Sequence, residues 1–297
     1  MDAKPAADGY VAIQRTWNSA DTIDLNFKLE PRVIVGDHSN EGKIAICYGP
    51  LVLAADGALL PSDVKNVALF VVASPDLAGL AVTPKSAPDN LRSWPGAQVF
   101  HIKALARRTG AALDIGLIPF ADAGSTGLRY KVWLPLAGQP GDNISLNGVE
   151  SRSRPGDKNG SINDEDIKNW VSTFDGQLAK EDWFAVTLDA PVTIRQVVFV
   201  PGESSHHGGW FDTSVSKPRV QVQRNKDDVW ETVGELGDYP VTTATNGVSR
   251  QLIWQGFTCR LTEPTKAIAV RVIGTPACGD DPTQSFSTCS ELRVFGQ

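Results

Sequence analysis

Apolar and polar residues alternate along much of the chain. In "TIDLNFKLE" (22–30), Ile23, Leu25, Phe27 and Leu29 fall on one side, and Asp24, Asn26, Lys28 and Glu30 on the other. That two-residue period is the signature of a half-buried strand. It returns in "WFAVTLDA" with Phe184, Val186 and Leu188, in "PRVQVQR" with Val220 and Val222, and in "KAIAVRVIG" with Ile268, Val270 and Val272. Glycine and proline clusters interrupt these runs at short intervals. No stretch beyond about ten residues holds a helical period. The exception is "NDEDIKNWVSTF" (163–174), where a short turn of helix is expected. Strands with one apolar face must pack sheet on sheet. The pattern therefore predicts an all-β protein of two β-sandwich, jelly-roll-like domains in tandem.

A break separates the halves. After the strand "RYKVWLP", the stretch "LPLAGQPGDNISLNG" carries three glycines and two prolines, the composition of a linker or long loop. The expected division is 1–136 for the first sandwich, 137–148 for the linker and 149–297 for the second.

Composition sharpens this reading by exclusion. A chain of 297 residues with 41% hydrophobic and 21% charged residues is globular in composition. At about 150 residues per domain its length suits two domains. A net charge of −6 provides no basic footprint and argues against a nucleic-acid partner. No apolar run approaches the roughly 20 residues that span a bilayer, so no membrane partner is expected. The opening "MDAKPAADGY" has neither a basic region nor an apolar core, so any secretory leader of a parent protein is expected upstream of this stretch.

The four cysteines, Cys47, Cys259, Cys278 and Cys289, contain no CxxC spacing. Cys278 and Cys289 bracket the loop "CGDDPTQSFSTC" ahead of the last strand, and a disulfide is expected between them. Such a bridge would place the protein in an oxidising compartment, extracellular or periplasmic. Cys47 stands alone in a strand and is expected to pack as a small apolar residue.

The first half resembles a known arrangement. "GYVAIQRTWNSADTIDLNFKLEPRVI", "NEGKIAICYGPLVLAAD" and "LIPFADAGSTGLRYKVWLP" are similar to the β-sandwich that follows the catalytic barrel in glycoside hydrolase family 127, which includes β-L-arabinofuranosidases. Trp17, Ile44, Ile46, Gly49, Pro50 and Leu51 carry the likeness, over roughly residues 8 to 136. The family's metal-centred Cys and Glu cluster lies in its upstream barrel and has no counterpart here. The resemblance implies a non-catalytic region whose partner is an absent upstream catalytic domain.

The second half, about 149 to 297, resembles the discoidin-like, galactose-binding-like fold of carbohydrate-binding module family 32. The residues that carry this are Asp164, Trp170, Trp183, Ile194, Val197 and Glu291, the last in the closing "CSELRVFG". The fold serves several ligand classes. The resemblance implies carbohydrate as partner and a structural calcium held by Asp164 and Glu291, since oxygen ligands suit a hard cation.

The most unusual stretch is "PGESSHHGGWFDTS" (201–214), which holds two of the four histidines. A zinc site from His206, His207 and Asp212 has the right donors, but adjacent residues rarely aim both rings at one point. Glu203 and Asp212 flank the loop, yet their spacing shows nothing of the separation that glycoside hydrolysis requires. A sugar platform fits the composition better. Trp210 and Phe211 would supply faces, His206, His207 and Asp212 hydrogen bonds, and Gly208 and Gly209 a close backbone. The alternative is that Trp210 folds inward over the core. The chain is thus read as a non-enzymatic, carbohydrate-binding accessory region. A purely structural role is the runner-up, and an autonomous glycosidase with a site across the two sandwiches ranks last.

Overall fold

A computed structural model of the chain describes residues 7–24, 28–62, 64, 66–73, 77, 79–91, 97–107, 109–137, 142–247, 252 and 254–296. It divides into two compact units, Met1–Glu30 and Pro31–Gln297. In the first, the Asp21 carboxylate accepts hydrogen bonds from Arg15 Nη2 (2.9 Å) and Asn18 N (2.7 Å), and the Arg15 guanidinium lies 5.0 Å from the Trp17 ring centre. The strand expected over 22–30 is not formed at 22–24 or 28–30, while Leu25, Asn26 and Phe27 lie outside the described residues. Alternation alone does not make a strand. Its N–H and C=O groups need a neighbouring edge to pair with, and no other strand lies in this unit's described residues.

The second unit is all-β, with short 3-10 turns and no α-helix among the described residues. No helix there is long and apolar enough to cross a membrane. The first sandwich comprises β1 (Pro31–Val35), β2 (Lys43–Tyr48), β3 (Leu51–Asp56), β4 (Phe70–Val71), β5 (Thr83–Ser86), β6 (Gln98–Ala106), β7 (Ala112–Pro119), β8 (Tyr130–Lys131) and β9 (Leu134–Pro135). They run in the order β1-β2-β3-β7-β6-β4, with β5 on β6, β8 on β3 and β9 on β2, all antiparallel. The apolar alternation of "KIAICYGPLVLAAD" places Ile44, Ile46, Leu53 and Ala55 against Phe70, Phe100, Ile115 and Leu117 in one core. Cys47 is buried, as its apolar neighbours led one to expect.

The second sandwich comprises β10 (Val149–Arg152), β11 (Lys158–Asn159), β12 (Trp170–Ser172), β13 (Asp182–Val200), β14 (Phe211–Asp212), β15 (Arg219–Gln223), β16 (Glu231–Glu235), β17 (Phe257–Pro276), β18 (Thr288–Cys289) and β19 (Glu291–Gly296). One sheet runs β10-β13-β17-β15-β16, with β19 also on β13 and β14 on β17; a smaller one runs β11-β12-β18. Strands β13 and β17 pair along their lengths, with register shifts between Thr187 and Val192 and between Ile194 and Gln196. Pro191, which cannot donate to the ladder, sits within the first shift, where its missing N–H costs nothing. Phe184, Val186, Leu188, Val220, Val222, Val270 and Val272 all enter this sandwich's core, as their spacing predicts.

Three further expectations, besides the strand at 22–30 and the linker treated below, are corrected. The helical turn at 163–174 is instead a run of turns followed by β12. The Asp164 carboxylate takes the Asp166 N–H (2.8 Å) and the Asp166 carboxylate takes the Lys168 N–H (3.0 Å). Side chains that capture nearby amides in this way compete with a helix. Cys278 and Cys289 are free thiols, not a disulfide. Cys278 Sγ faces the Ala244 and Gly279 carbonyls at 3.6 Å each, while Cys289 is fully buried in the core. The third correction concerns Trp210 and is set out with the site.

Residues 142–148, expected within the linker, dock on the second sandwich. Leu146 is fully buried, and Asn143 Oδ1 accepts the Val294 N–H at 3.1 Å. Residues 138–141 lie outside the described residues. The two sandwiches also meet through charge. Arg107 donates to both oxygens of Asp142 (3.0 and 2.5 Å) with both side chains nearly buried, and Lys131 Nζ reaches Glu165 at 2.7 Å. Burial alone would raise the Glu165 pKa, but Lys131, with Arg293 and Arg107 beyond it, holds this carboxyl below its ordinary value.

Candidate functional site

Three segments converge at one end of the second sandwich: β12 with its extension to Phe174, the loop 201–210 that leaves β13, and the loop 277–287 that joins β17 to β18. The backbone ties them together. Thr173 N donates to Ser287 O (3.1 Å), Gly209 N to Phe286 O (3.1 Å) and Thr288 N to Gly209 O (3.2 Å). Gly208 and Gly209 both have positive φ, 132° and 108°. A Cβ on Gly208 would lie 2.7 Å from Ala277 O, and one on Gly209 would lie 2.8 Å from Ser204 Cα. The expectation of a closely held glycine pair therefore meets its reason: glycine at 208 lets the two loops approach so nearly, and glycine at 209 lets the loop fold back on Ser204.

Between these segments lies a cleft of about 440 Å³. Trp170, Phe174 and Phe286 supply its aromatic surface, while Asp157, Glu203, His207, Asp281 and Gln284 contribute polar groups. Phe174 and Phe286 meet edge to face, with ring centres 5.2 Å apart. Hydrogen bonds from the Thr283 side chain and backbone hold the Asp281 carboxyl below the usual carboxylate range, against a smaller opposing effect of burial.

An ion pair between the partly buried Arg154 and the buried Asp182 anchors the aromatic pair. Arg154 donates from Nε to Asp182 Oδ1 (2.9 Å) and from Nη2 to Asp182 Oδ2 (3.0 Å). The same guanidinium bonds Ser285 O (2.6 Å) and Gln177 O (3.0 Å), and also Asp175. Asp182 is fully buried and takes the hydroxyls of Ser153 (2.9 Å) and Thr173 as well. Arg154 and Asp182 thus fix Thr173 and Ser285, the residues before Phe174 and Phe286. Desolvation lowers the Arg154 pKa, but the hydrogen bonds and charges of Asp182 and Asp175 outweigh it, and the net shift is upward.

The expected platform is redistributed. Trp210 is only 4% exposed, its Nε1 donates to Thr243 O at 2.8 Å, and it belongs to the core cluster. Phe211 is buried too, its N–H on Tyr239 Oη at 3.1 Å and its ring beside Phe199. The exposed aromatic face expected here is therefore corrected. Phe211 opens β14, which pairs with β17 at Thr275 and Pro276, Trp210 directly precedes it, and a Trp whose N–H finds a carbonyl is stable inside. Asp212 is spent on its own turn, accepting Ser214 N (2.8 Å) and Oγ (2.6 Å). His206 and His207 are exposed, and of the five expected residues His207 alone lines the cleft. Phe174, Phe286, Asp157 and Gln284 were missed. The signal that marks them is tertiary: Phe174, Gln284 and Phe286 lie next to Thr173 and Ser285, which the ion pair holds, and Asp157 is tied to Ser172 by an exchange of hydrogen bonds.

The residues expected to hold calcium do not line the cleft. Glu291 is fully buried, accepts Asp164 N at 3.2 Å, and leaves Oε2 with no hydrogen-bond partner; Arg293 Nε stands 3.7 Å from it. Burial, with Asp164 and Glu165 nearby, pushes its pKa up to about 9 despite Arg293. An orphaned buried carboxyl oxygen is the donor a hard cation satisfies, so Glu291 fits a calcium ligand. The Asp164 carboxylate fits less directly, being occupied by Asp166 N and Asn169 Nδ2 (2.7 Å).

No protein-family profile matches the chain, and no curated protein matches it in sequence. Similar solved structures include the family 32 carbohydrate-binding module of Clostridium perfringens NanJ in complex with galactose, at 16% identity and a TM-score of 0.38, covering 51% of this chain and 95% of that one. Chitosan-binding module 1 from a Paenibacillus chitosanase/glucanase is 18% identical with a TM-score of 0.35, covering 52% and 98%. A family 127 β-arabinofuranosidase is 21% identical with a TM-score of 0.36, covering 46% of this chain and 22% of that one.

Proposed function

We propose that the chain is a carbohydrate-binding accessory region of a glycoside hydrolase, and that the cleft at the end of the second sandwich is its sugar site. The observation that supports this is the cleft itself: Phe174, Phe286 and Trp170 beside His207, Glu203 and Gln284 in about 440 Å³. A sugar ring has apolar C–H faces and a polar rim, and such a surface meets both at once. A single shallow cleft of this size fits weak binding, on the order of millimolar to tens of micromolar. In this reading the first sandwich packs against a catalytic domain upstream, calcium braces Glu291, and the protein works in an extracellular or periplasmic setting. Titration of the chain with a panel of mono- and disaccharides tests the proposal. Saturable binding that Phe286→Ala removes supports it. No binding to any neutral or amino sugar at tens of millimolar concentration, about the weakest affinity worth the name, would sink it.

A further inference from the structure

His206 and His207 stand against Asp280 on the outer edge of the loop clamp. One ligand atom from each lies within 4.8 Å of the other two. The imidazole rings are 3.8 Å apart between centres, and His207 Nδ1 is 2.7 Å from Asp280 Oδ1. Adjacent histidines seldom point together, but here the chain turns sharply between Ser205 and Gly208, each donating its N–H to the other's carbonyl (2.9 and 3.2 Å). That turn swings both rings to one side.

The backbone beneath the three side chains is braced from both loops. Asp280 N donates to His206 O (2.9 Å), and Gln284 Nε2 donates to His207 O (2.7 Å) and Cys278 O (3.3 Å). The side chains themselves are exposed, so an ion can reach them and displaces little structure. We propose that His206, His207 and Asp280 form a binding site for a divalent transition-metal ion of the zinc class. Two imidazole nitrogens and one carboxylate oxygen are the donors such ions prefer, whereas calcium and magnesium favour oxygen throughout. Bonds of about 2.1 Å at tetrahedral angles separate ligand atoms by about 3.4 Å. Rotation of the exposed side chains covers the difference from the spacing observed, and water completes the fourth position. The ion would tie the loop 205–209 to the loop that follows β17. His207 also borders the cleft, yet the metal site stands whether or not that cleft binds sugar.

The test uses the metal alone. The chain is stripped with chelator, and zinc chloride is titrated into it by calorimetry. One saturable site is expected in the starting protein and in His101→Gln. His206→Gln and Asp280→Asn should each weaken binding by at least the roughly 10–100-fold that loss of a mere outer-shell partner costs. All three variants lie at exposed or half-exposed positions, and matched thermal melts confirm folding. Absence of saturable binding would overturn the proposal. So would affinity unchanged in His206→Gln and Asp280→Asn, or affinity lost in His101→Gln.

Discussion

Phe286 lies edge-on to Phe174, their ring planes inclined at 65°, although one follows β12 and the other precedes β18. Each leaves part of its ring to solvent, unlike the fully enclosed Phe199 and Phe211. Phe286→Ala is therefore expected to abolish sugar binding at modest cost in stability. Trp210→Ala should do the reverse and cost about 3–5 kcal/mol, as aromatic truncation in a core does. One sugar titration and one urea melt on each variant check this; a Trp210→Ala protein of unchanged stability would contradict its place in the core.

Removing the acid of the Arg154–Asp182 pair leaves a half-buried guanidinium without its bidentate partner. Asp182→Ala is expected to destabilise by about 3–5 kcal/mol. It should also weaken sugar binding in molecules that remain folded, because Thr173 and Ser285 lose their anchor. Urea denaturation measures the first effect, and a loss under about 1 kcal/mol would show the pair to be dispensable.

Calcium removal is expected to lower the melting temperature, since an ion bound only to the folded chain stabilises it by mass action. In zinc-free protein, Glu291→Gln should melt identically with and without calcium. If chelator leaves the melting curve of the unaltered protein in place, Glu291 holds no ion.

Acid should weaken the start of the second sandwich. Burial raises the Glu150 pKa, but the hydrogen bonds from Lys158, Ile162 N (2.8 Å) and Ser161 Oγ (2.9 Å) together carry it below the ordinary 4.5. A depressed carboxyl stabilises the fold above its unfolded value and stops doing so as pH falls through the folded value. The contribution of Glu150 should thus be level above about pH 4.5 and decline below it, and Glu150→Gln should reduce both the plateau and the slope on the acid side. Urea midpoints across that range decide; identical slopes in the two proteins would rule Glu150 out as a contributor.

The cysteines offer a direct count. Cys278 is partly exposed, while Cys47, Cys259 and Cys289 are buried. Burial pushes the Cys259 and Cys289 thiols up, with Asp238 and Glu235 adding to the first and Glu291 and Glu150 to the second. Alkylation of the native chain should label Cys278 first, and unfolding without reductant should release all four thiols. Recovery of only two would restore the Cys278–Cys289 bridge.

The strands of both sandwiches were largely readable because alternation records burial directly: Val220 and Val222, or Ile44 and Ile46, have one fate in any sheet that covers them. The site was less readable. "HHGGWFDTS" shows aromatic, polar and flexible residues side by side, yet which of them face water depends on the pairing of β14 with β17, a contact far away in sequence. The pattern located the loop and its glycine pair but chose the wrong aromatics. Phe286 lay inside the stretch read as a disulfide loop, and nothing local marks it as the ring that faces Phe174. Glu291 was singled out only through the resemblance; its orphaned oxygen is a fact of packing.

Arg107 and Asp142 face each other from different sandwiches, almost sealed from solvent, with Lys131 and Glu165 close by. A scissor cut placed just before Asp142 would look harmless on paper, among glycines and prolines. It would deliver one fragment with a sealed-in cation and another with an acid that has lost its counterweight. Anyone isolating the second sandwich should therefore keep both halves, or neutralise Asp142 and Glu165 together with the cut. The two sandwiches are better regarded as one handle than as two beads on a string, and the cleft at the end of the second keeps a fixed bearing to the first.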